Sequence, residues 1–339
     1  MSKIYEALRQ AELDRAKNPP TQSDNRTTTG SGGQAVLDAD AAPVFPDELT
    51  SFPTVPATVR PTPDRTLAGA LADTRDAGVG LVDTPVRYGE IDLAKIRAYA
   101  WRPLLQQLPA LEERGSSVEQ FRSLRSRMQE FRDLNKLKSL LISSGLPQEG
   151  KSFIAANLAI SFARHKSSRV LLIDGDMRRA TLHKLFGCSQ GPGLTEYLAG
   201  DASILDVMQR ADTDDPANPV PSGLASLTFI PAGDEHDRAA DLSGNNRFER
   251  LIEAAAPQFD WIVVDSSPVN LVSDGVNLAR SCDAVLLVAR GGVTKYEVAQ
   301  RAIAELKASK VLGLVLNAVE NPPIAGGYYG YDGYDKIEA

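Results

Sequence analysis

Only two cysteines, Cys188 and Cys282, occur in 339 residues. That leaves no disulfide framework and suits a reducing cytoplasm. Basic residues are in the minority, and the net charge of −7 argues against a general nucleic-acid binder. No apolar run approaches the ~20 residues needed to span a bilayer, and the start MSKIYEALRQ lacks the apolar stretch of a signal peptide. These absences predict a soluble, cytoplasmic protein with no nucleic-acid ligand, any membrane association coming through a partner. His165, His183 and His236 are scattered, and none is read as a metal ligand. What is present is ordinary for a globular chain, with 42% hydrophobic and 24% charged residues.

Composition divides the chain. Residues 1–17 read as a short helix with a thin apolar stripe of Ile4, Leu8 and Ala11, stopped by Asn18, Pro19 and Pro20. A helix of that length is marginal alone, so it docks or frays. Residues 18–87 hold nine of the 21 prolines and read as a disordered linker. A globular domain is expected over 88–321, its core starting at about 111. Six apolar runs rich in β-branched residues follow: LKSLLISSG, RVLLIDGD, LTFIPAG, FDWIVVDSS, AVLLVAR and VLGLVLNAV. They read as strands buried on both faces. Helical stretches at 151–165, 246–256 and 294–309 alternate with them, which predicts an α/β fold with a mainly parallel sheet flanked by helices on both faces.

The strongest local signal is GLPQEGKS, Gly145 to Ser152, between the first of these strands and a helix. In such a loop (Gly145, Leu146, Pro147, Gln148, Glu149 and Gly150) main-chain N–H groups face inward, and the helix adds the positive end of its dipole. Lys151 can hold β/γ-phosphates and the Ser152 hydroxyl can ligate Mg²⁺. Asp174 and Asp176 end the second strand and Asp265 ends a later one, at the edge where open α/β sheets bind ligands. Alternation puts Asp174 and Asp176 on one side, so two carboxylates could converge on a metal or a hydroxyl.

The combination of SSGLPQEGKS, LLIDGDMRR and WIVVDSSP resembles the bacterial tyrosine kinases that accompany capsule and exopolysaccharide export. The resemblance covers roughly residues 115–339 and implies a P-loop NTPase-type fold with ATP and Mg²⁺ as cofactors. By position it makes Lys151, Asp174, Asp176 and Asp265 catalytic, Ser152, Asp174 and Asp265 metal-holding, and Arg178 a nucleotide contact. Asn317, after the last strand, is read as a plausible base contact or a buried hydrogen-bonded Asn. The resemblance also implies that Glu119, Arg122 and Arg125 of SVEQFRSLRSR mediate ring-like self-association, beside an apolar face of Phe121, Leu124, Met128 and Phe131. Two departures stand out. Gln148 sits where the family often has Gly and must adopt a tolerated conformation or cost about 1 kcal/mol of strain. The family's fused membrane-spanning segments are missing, which implies a separate membrane-bound chain-length or co-polymerase activator.

Tyr328, Tyr329, Tyr331 and Tyr334 lie in a glycine-rich stretch, GGYYGYDGYDKIEA, with little to pack against. Residues 322–339 therefore read as a flexible tail. The resemblance makes these tyrosines autophosphorylation sites, served between subunits and reversed by a tyrosine phosphatase. Either Asp174 or Asp176 could accept the phenol proton. Each phosphate adds about −1.5 to −2 charges, so repulsion between modified tails is expected to disfavour the ring. The alternative is a partitioning or division-site P-loop switch ATPase. Those proteins carry an extra lysine near the loop start, where this chain has Leu146.

Overall fold

The computed structural model describes residues 91–165, 168–214, 219–234 and 239–319. The expected helix at 1–17, the linker at 18–87, the tail at 322–339 with its four tyrosines, and His236 lie outside the described residues.

An eight-stranded sheet forms the centre, with strands β1 Arg97–Tyr99, β2 Ser139–Ser144, β3 Val170–Asp174, β4 Gln209–Ala211, β5 Leu227–Ile230, β6 Trp261–Asp265, β7 Ala284–Arg290 and β8 Val311–Asn317. Their order is β1-β4-β5-β3-β6-β2-β7-β8. The six strands from β5 to β8 are parallel; β4 runs antiparallel to β5, and β1 follows β4. The sheet is thus mainly parallel, as its apolar runs predict. The helices are α1 Ser116–Asn135, α2 Lys151–Ala163, α3 Leu182–Phe186, α4 Leu194–Ala199, α5 Ile204–Val207, α6 Ala239–Ser243, α7 Arg247–Ala255, α8 Asp274–Arg280 and α9 Tyr296–Glu305.

Alternation along the strands feeds two separate cores. Leu140, Ile142, Val263 and Leu286 join α2 on one face, whereas Leu141, Ile262, Val264 and Leu287 join α7, α8 and α9 on the other. Helix α7 shows why its sequence folds as it does. Phe248, Leu251, Ile252 and Ala255 recur at 3- and 4-residue spacing, and all four are buried. Helix α2 is covered almost all round, from Ile154 through Ala163. Phe162 on α2 stacks on Trp261 of β6 with ring centroids 4.1 Å apart and planes 11° apart.

Three expectations are corrected. The core does not begin near 111: Ile91, Ile96, Trp101 and Leu108 are already buried. Trp101 packs against Phe186 and Phe229, at 5.4 Å and 6.2 Å between centroids. The Leu104 N–H donates to Leu185 O at 2.8 Å, holding the segment to the domain. This approach requires Gly187 at φ +59°, because a Cβ there would sit 2.1 Å from Arg102 O. Second, β8 is not buried on both faces; it is the edge strand, half-buried along its whole length. Third, Phe131 is exposed, although Phe121 and Met128 on the same helix are buried. It lies in the last turns of α1, which hold to the domain through Arg132 over the Trp261 ring, 5.4 Å from its centroid, and through Lys310 Nζ donating to Asn135 Oδ1 at 2.6 Å.

Candidate functional site

The phosphate-loop sequence joins the end of β2 to the start of α2. Gly150 takes φ +94°, and a Cβ there would lie 1.9 Å from the Asn317 amide nitrogen. Gln148 adopts φ 63°, the left-handed conformation that costs a side-chain-bearing residue about 1–2 kcal/mol. The expected alternative, a relaxed conformation at this position, is not the one adopted. Glu149 braces the turn from beneath. It is 4% exposed, accepts a hydrogen bond from the Leu146 N–H at 2.7 Å, and accepts another from the Thr294 hydroxyl. Thr294 in turn accepts from the Arg290 N–H at 2.8 Å, which ties the loop to the end of β7.

The acidic side chains gather because the sheet register puts them together. Asp174 and Asp265 are direct partners across β3 and β6. Asp174 is fully buried; it accepts from the Asp176 N–H at 3.2 Å and from the Thr181 and Leu182 N–H groups at 3.3 Å and 3.1 Å. Asp176 accepts from Lys151 Nζ at 2.8 Å and from the Ser267 hydroxyl at 3.2 Å. Both oxygens of Asp265 are buried without a hydrogen bond of good geometry, and the Lys151 ammonium, the Ser152 hydroxyl and the Ser266 N–H stabilise its charge.

One ammonium therefore faces three carboxylates in a dry place. Burial, then the Asp265 charge, raises the Asp174 pKa. Burial likewise raises that of Asp265, against the opposing pull of Lys151. For Lys151 burial acts downward, but Asp265 and Asp176 outweigh it and its pKa is raised. Excess negative charge of this kind is relieved by protonation or by a cation. The orphaned carboxylate of Asp265 next to Ser152 fits a magnesium ion well. Among the described residues no set of three His, Cys, Asp or Glu side chains could hold a metal unaided; a magnesium ion commonly takes one or two carboxylates and completes its shell with phosphate and water.

Beside the loop opens a cavity of about 480 Å³, lined in part by Gln148, Lys151, Asp176, Arg179, Ser267 and Leu271. The fold and the loop can be compared with known proteins. No protein-family model matches the chain. Tyrosine-protein kinase CpsD of Streptococcus agalactiae is 31% identical over 223 residues, covering 65% of this chain and 91% of that protein. The chain belongs to the bacterial tyrosine-protein kinases.

Within that family, Tyrosine-protein kinase YwqD of Bacillus subtilis is 31% identical over 223 residues, which is 65% of this chain and 89% of that protein. Tyrosine-protein kinase ptk of Acinetobacter johnsonii is 30% identical over 242 residues, 70% of this chain, but the chain spans only 30% of its length. The solved kinase domain of the Escherichia coli tyrosine kinase ETK superposes with a TM-score of 0.58 at 29% identity, over 67% of this chain and 85% of that one.

Other expected site residues have definite places. Arg178 lines the cavity and spreads its guanidinium over buried Asp274, with Nε 2.6 Å from Oδ2 and Nη2 3.3 Å from Oδ1. Asn317 donates from Nδ2 to Glu149 O at 3.0 Å, so its amide supports the phosphate loop. Arg122 pairs with Glu119, and Arg125 donates to Ser161 O at 2.8 Å, which fixes α1 against α2. Ser267, Thr294 and Asp274 were not anticipated. Only Ser267 carried a signal, through its place two residues after Asp265. Burial pushes the Cys188 thiol up to about 12, which leaves no thiolate for chemistry near Asp174.

Proposed function

We propose that the chain is an ATP-dependent protein-tyrosine kinase that phosphorylates its own tyrosines Tyr328, Tyr329, Tyr331 and Tyr334, between subunits of a ring. The observation that carries this reading is the Lys151–Asp176 pair at 2.8 Å, set between the phosphate loop and the two registered acids Asp174 and Asp265. Its relatives' names, tyrosine-protein kinases, support it.

In this reading the loop N–H groups and Lys151 would hold the β/γ-phosphates, and Ser152 with Asp265 would hold Mg²⁺, which would neutralise charge between the phosphates. Asp174, expected as a further ligand, has both oxygens engaged by main-chain N–H groups and would act on the ion through its charge. Lys151 exchanges Asp176 for phosphate oxygen, which frees an Asp176 oxygen. Asp176 lines the cavity and Asp174 does not, so Asp176 is the better placed base for an incoming phenol. The phenol oxygen bonds to the γ-phosphorus, the bond to the β-bridging oxygen breaks, and the phenol proton passes to Asp176. Arg178, held by Asp274, stands at the cavity edge as a nucleotide contact.

The family resemblance further suggests regulation of exopolysaccharide or capsule polymerisation and export, a membrane-bound co-polymerase as activator, and a phosphatase that resets the tail. Peripheral attachment at the inner membrane through that activator belongs to the same proposal. Among the described residues no helix is long and apolar enough to cross a membrane. Incubating the protein with γ-labelled ATP and Mg²⁺, then mapping the label, tests the reading. Label on the tail tyrosines, lost in Lys151→Met and Asp176→Asn, supports it. ATP turnover with an unlabelled tail overturns it in favour of a switch ATPase.

A further inference from the structure

A second cavity, of about 230 Å³, lies between α1 and the far end of α2, away from the phosphate loop. Ala110, Val118 and Phe121 give it an apolar side, and Arg122, Arg125 and Arg164 give it a cationic one. The main chain holds each guanidinium from a different direction. Arg122 Nη2 donates to Glu113 O at 3.0 Å, and Arg125 Nη1 to Ser161 O at 2.8 Å. Arg164 Nη1 donates to Ala110 O at 2.6 Å and to Glu112 O.

Two observations bear on what this arrangement could hold. Arg125 Nε is buried with no hydrogen-bond acceptor, and an unsatisfied donor on a cation is among the costlier things a fold can bury. The three like charges also act on one another: burial first, then Arg122 and Arg164, lower the Arg125 pKa, with only Glu119 opposing. Glu119 is 65% exposed and already engaged by Arg122, so it does not supply the missing acceptor.

We propose that this cavity is a binding site for a phosphate-class oxyanion, the charge lying among Arg122, Arg125 and Arg164. A tetrahedral dianion offers acceptors to several guanidinium forks at once. The cavity exceeds the volume of a bare phosphate, and its Val118 and Phe121 wall suits the organic part of a phosphomonoester. Because Glu119, Arg122 and Arg125 are also the residues proposed for self-association, occupancy would act on assembly. The inference itself stands on the arginine geometry and not on the kinase reading.

The test uses the full chain labelled with ¹⁵N-arginine and follows the side-chain Nε–H resonances at fixed ionic strength. These report locally, so phosphate entering the nucleotide loop does not mimic the result. Inorganic phosphate is expected to shift the Arg125 resonance saturably, while chloride does not. Phenyl phosphate binding more tightly than inorganic phosphate would identify an ester as the natural occupant; equal binding would identify the free ion. Arg164→Lys, which keeps the charge but loses the fork, is expected to weaken binding about tenfold, the worth of one charge-assisted hydrogen bond. Glu119→Gln, an exposed change that leaves the fold intact, is expected to strengthen it by releasing Arg122. An Arg125 resonance that ignores phosphate overturns the proposal. So does one that moves with protein concentration alone, since a carboxylate from a second copy would then fill the site.

Discussion

Removing the Glu149 side chain isolates how far the phosphate loop depends on its buried brace. Glu149→Ala deletes the acceptor for the Leu146 N–H, 2.7 Å away, and for the Thr294 hydroxyl. A hydrogen bond to a charged group contributes about 1.5–3 kcal/mol. Both donors are partly reachable by water, so replacement solvation offsets some of the loss. The expected cost is about 2–4 kcal/mol, and about half that for Glu149→Gln, which keeps one acceptor oxygen. Urea unfolding of the nucleotide-free chain, extrapolated linearly, measures it. Thr294→Val combined with Glu149→Ala should cost less than the sum of the single changes, because the two share a bond. Nucleotide affinity should fall in each variant, since the loop N–H groups are no longer held in place. A loss under about 1 kcal/mol for Glu149→Ala, or strict additivity with Thr294→Val, would refute the brace.

Gln148→Gly should raise stability or leave it unchanged despite the added backbone freedom, because it relieves φ 63°, a conformation costing about 1–2 kcal/mol; a clear loss in thermal unfolding would contradict this. Trp101→Ala should cost about 3–5 kcal/mol in urea unfolding, as Trp101 is buried against Phe186 and Phe229; a loss typical of an exposed residue would detach 91–110 from the core. Glu196 resists the upward push of burial through hydrogen bonds from the Asp234 and Gly193 N–H groups and the Thr195 hydroxyl, which hold its pKa below the usual 4.5. Its stabilisation is therefore present above pH 4.5 and is lost as pH falls through the lower folded value. Acid titration of Glu196→Gln should show a shallower loss of stability in that window than the parent chain.

The five strands from β5 to β7 were legible because burial on both faces demands uninterrupted apolar runs, and VLLID and WIVVD meet that demand; β8 shows an apolar run as well, although as the edge strand it is only half-buried. β1 and β4 were not, because three residues such as Arg97–Tyr99 carry no periodicity to read. Strand alternation reads Asp174 and Asp176 as a pair on one side, yet β3 ends at Asp174. The convergence comes instead from the following turn and from Lys151 bridging to Asp176. Asn317 shows the limit most clearly. A polar residue closing a strand at the ligand edge reads equally as a base contact or as a hydrogen-bonded Asn, and the bond from its Nδ2 to the Glu149 carbonyl carries no mark in the sequence. The segment at 91–110 was hidden for a different reason: its isolated Trp101 and Leu108 acquire meaning only against rings more than eighty residues away.

Because Asp174 and Asp265 share one rung of the ladder between β3 and β6, the separation of their Cα atoms is a property of main-chain pairing between two central strands. Such a spacing is as rigid as the barrel of a lock, and no nearby rearrangement can widen or narrow it. In the mechanism proposed above, any change at the site therefore falls to Lys151 and the turn bearing Asp176, whose partners can change without disturbing the sheet.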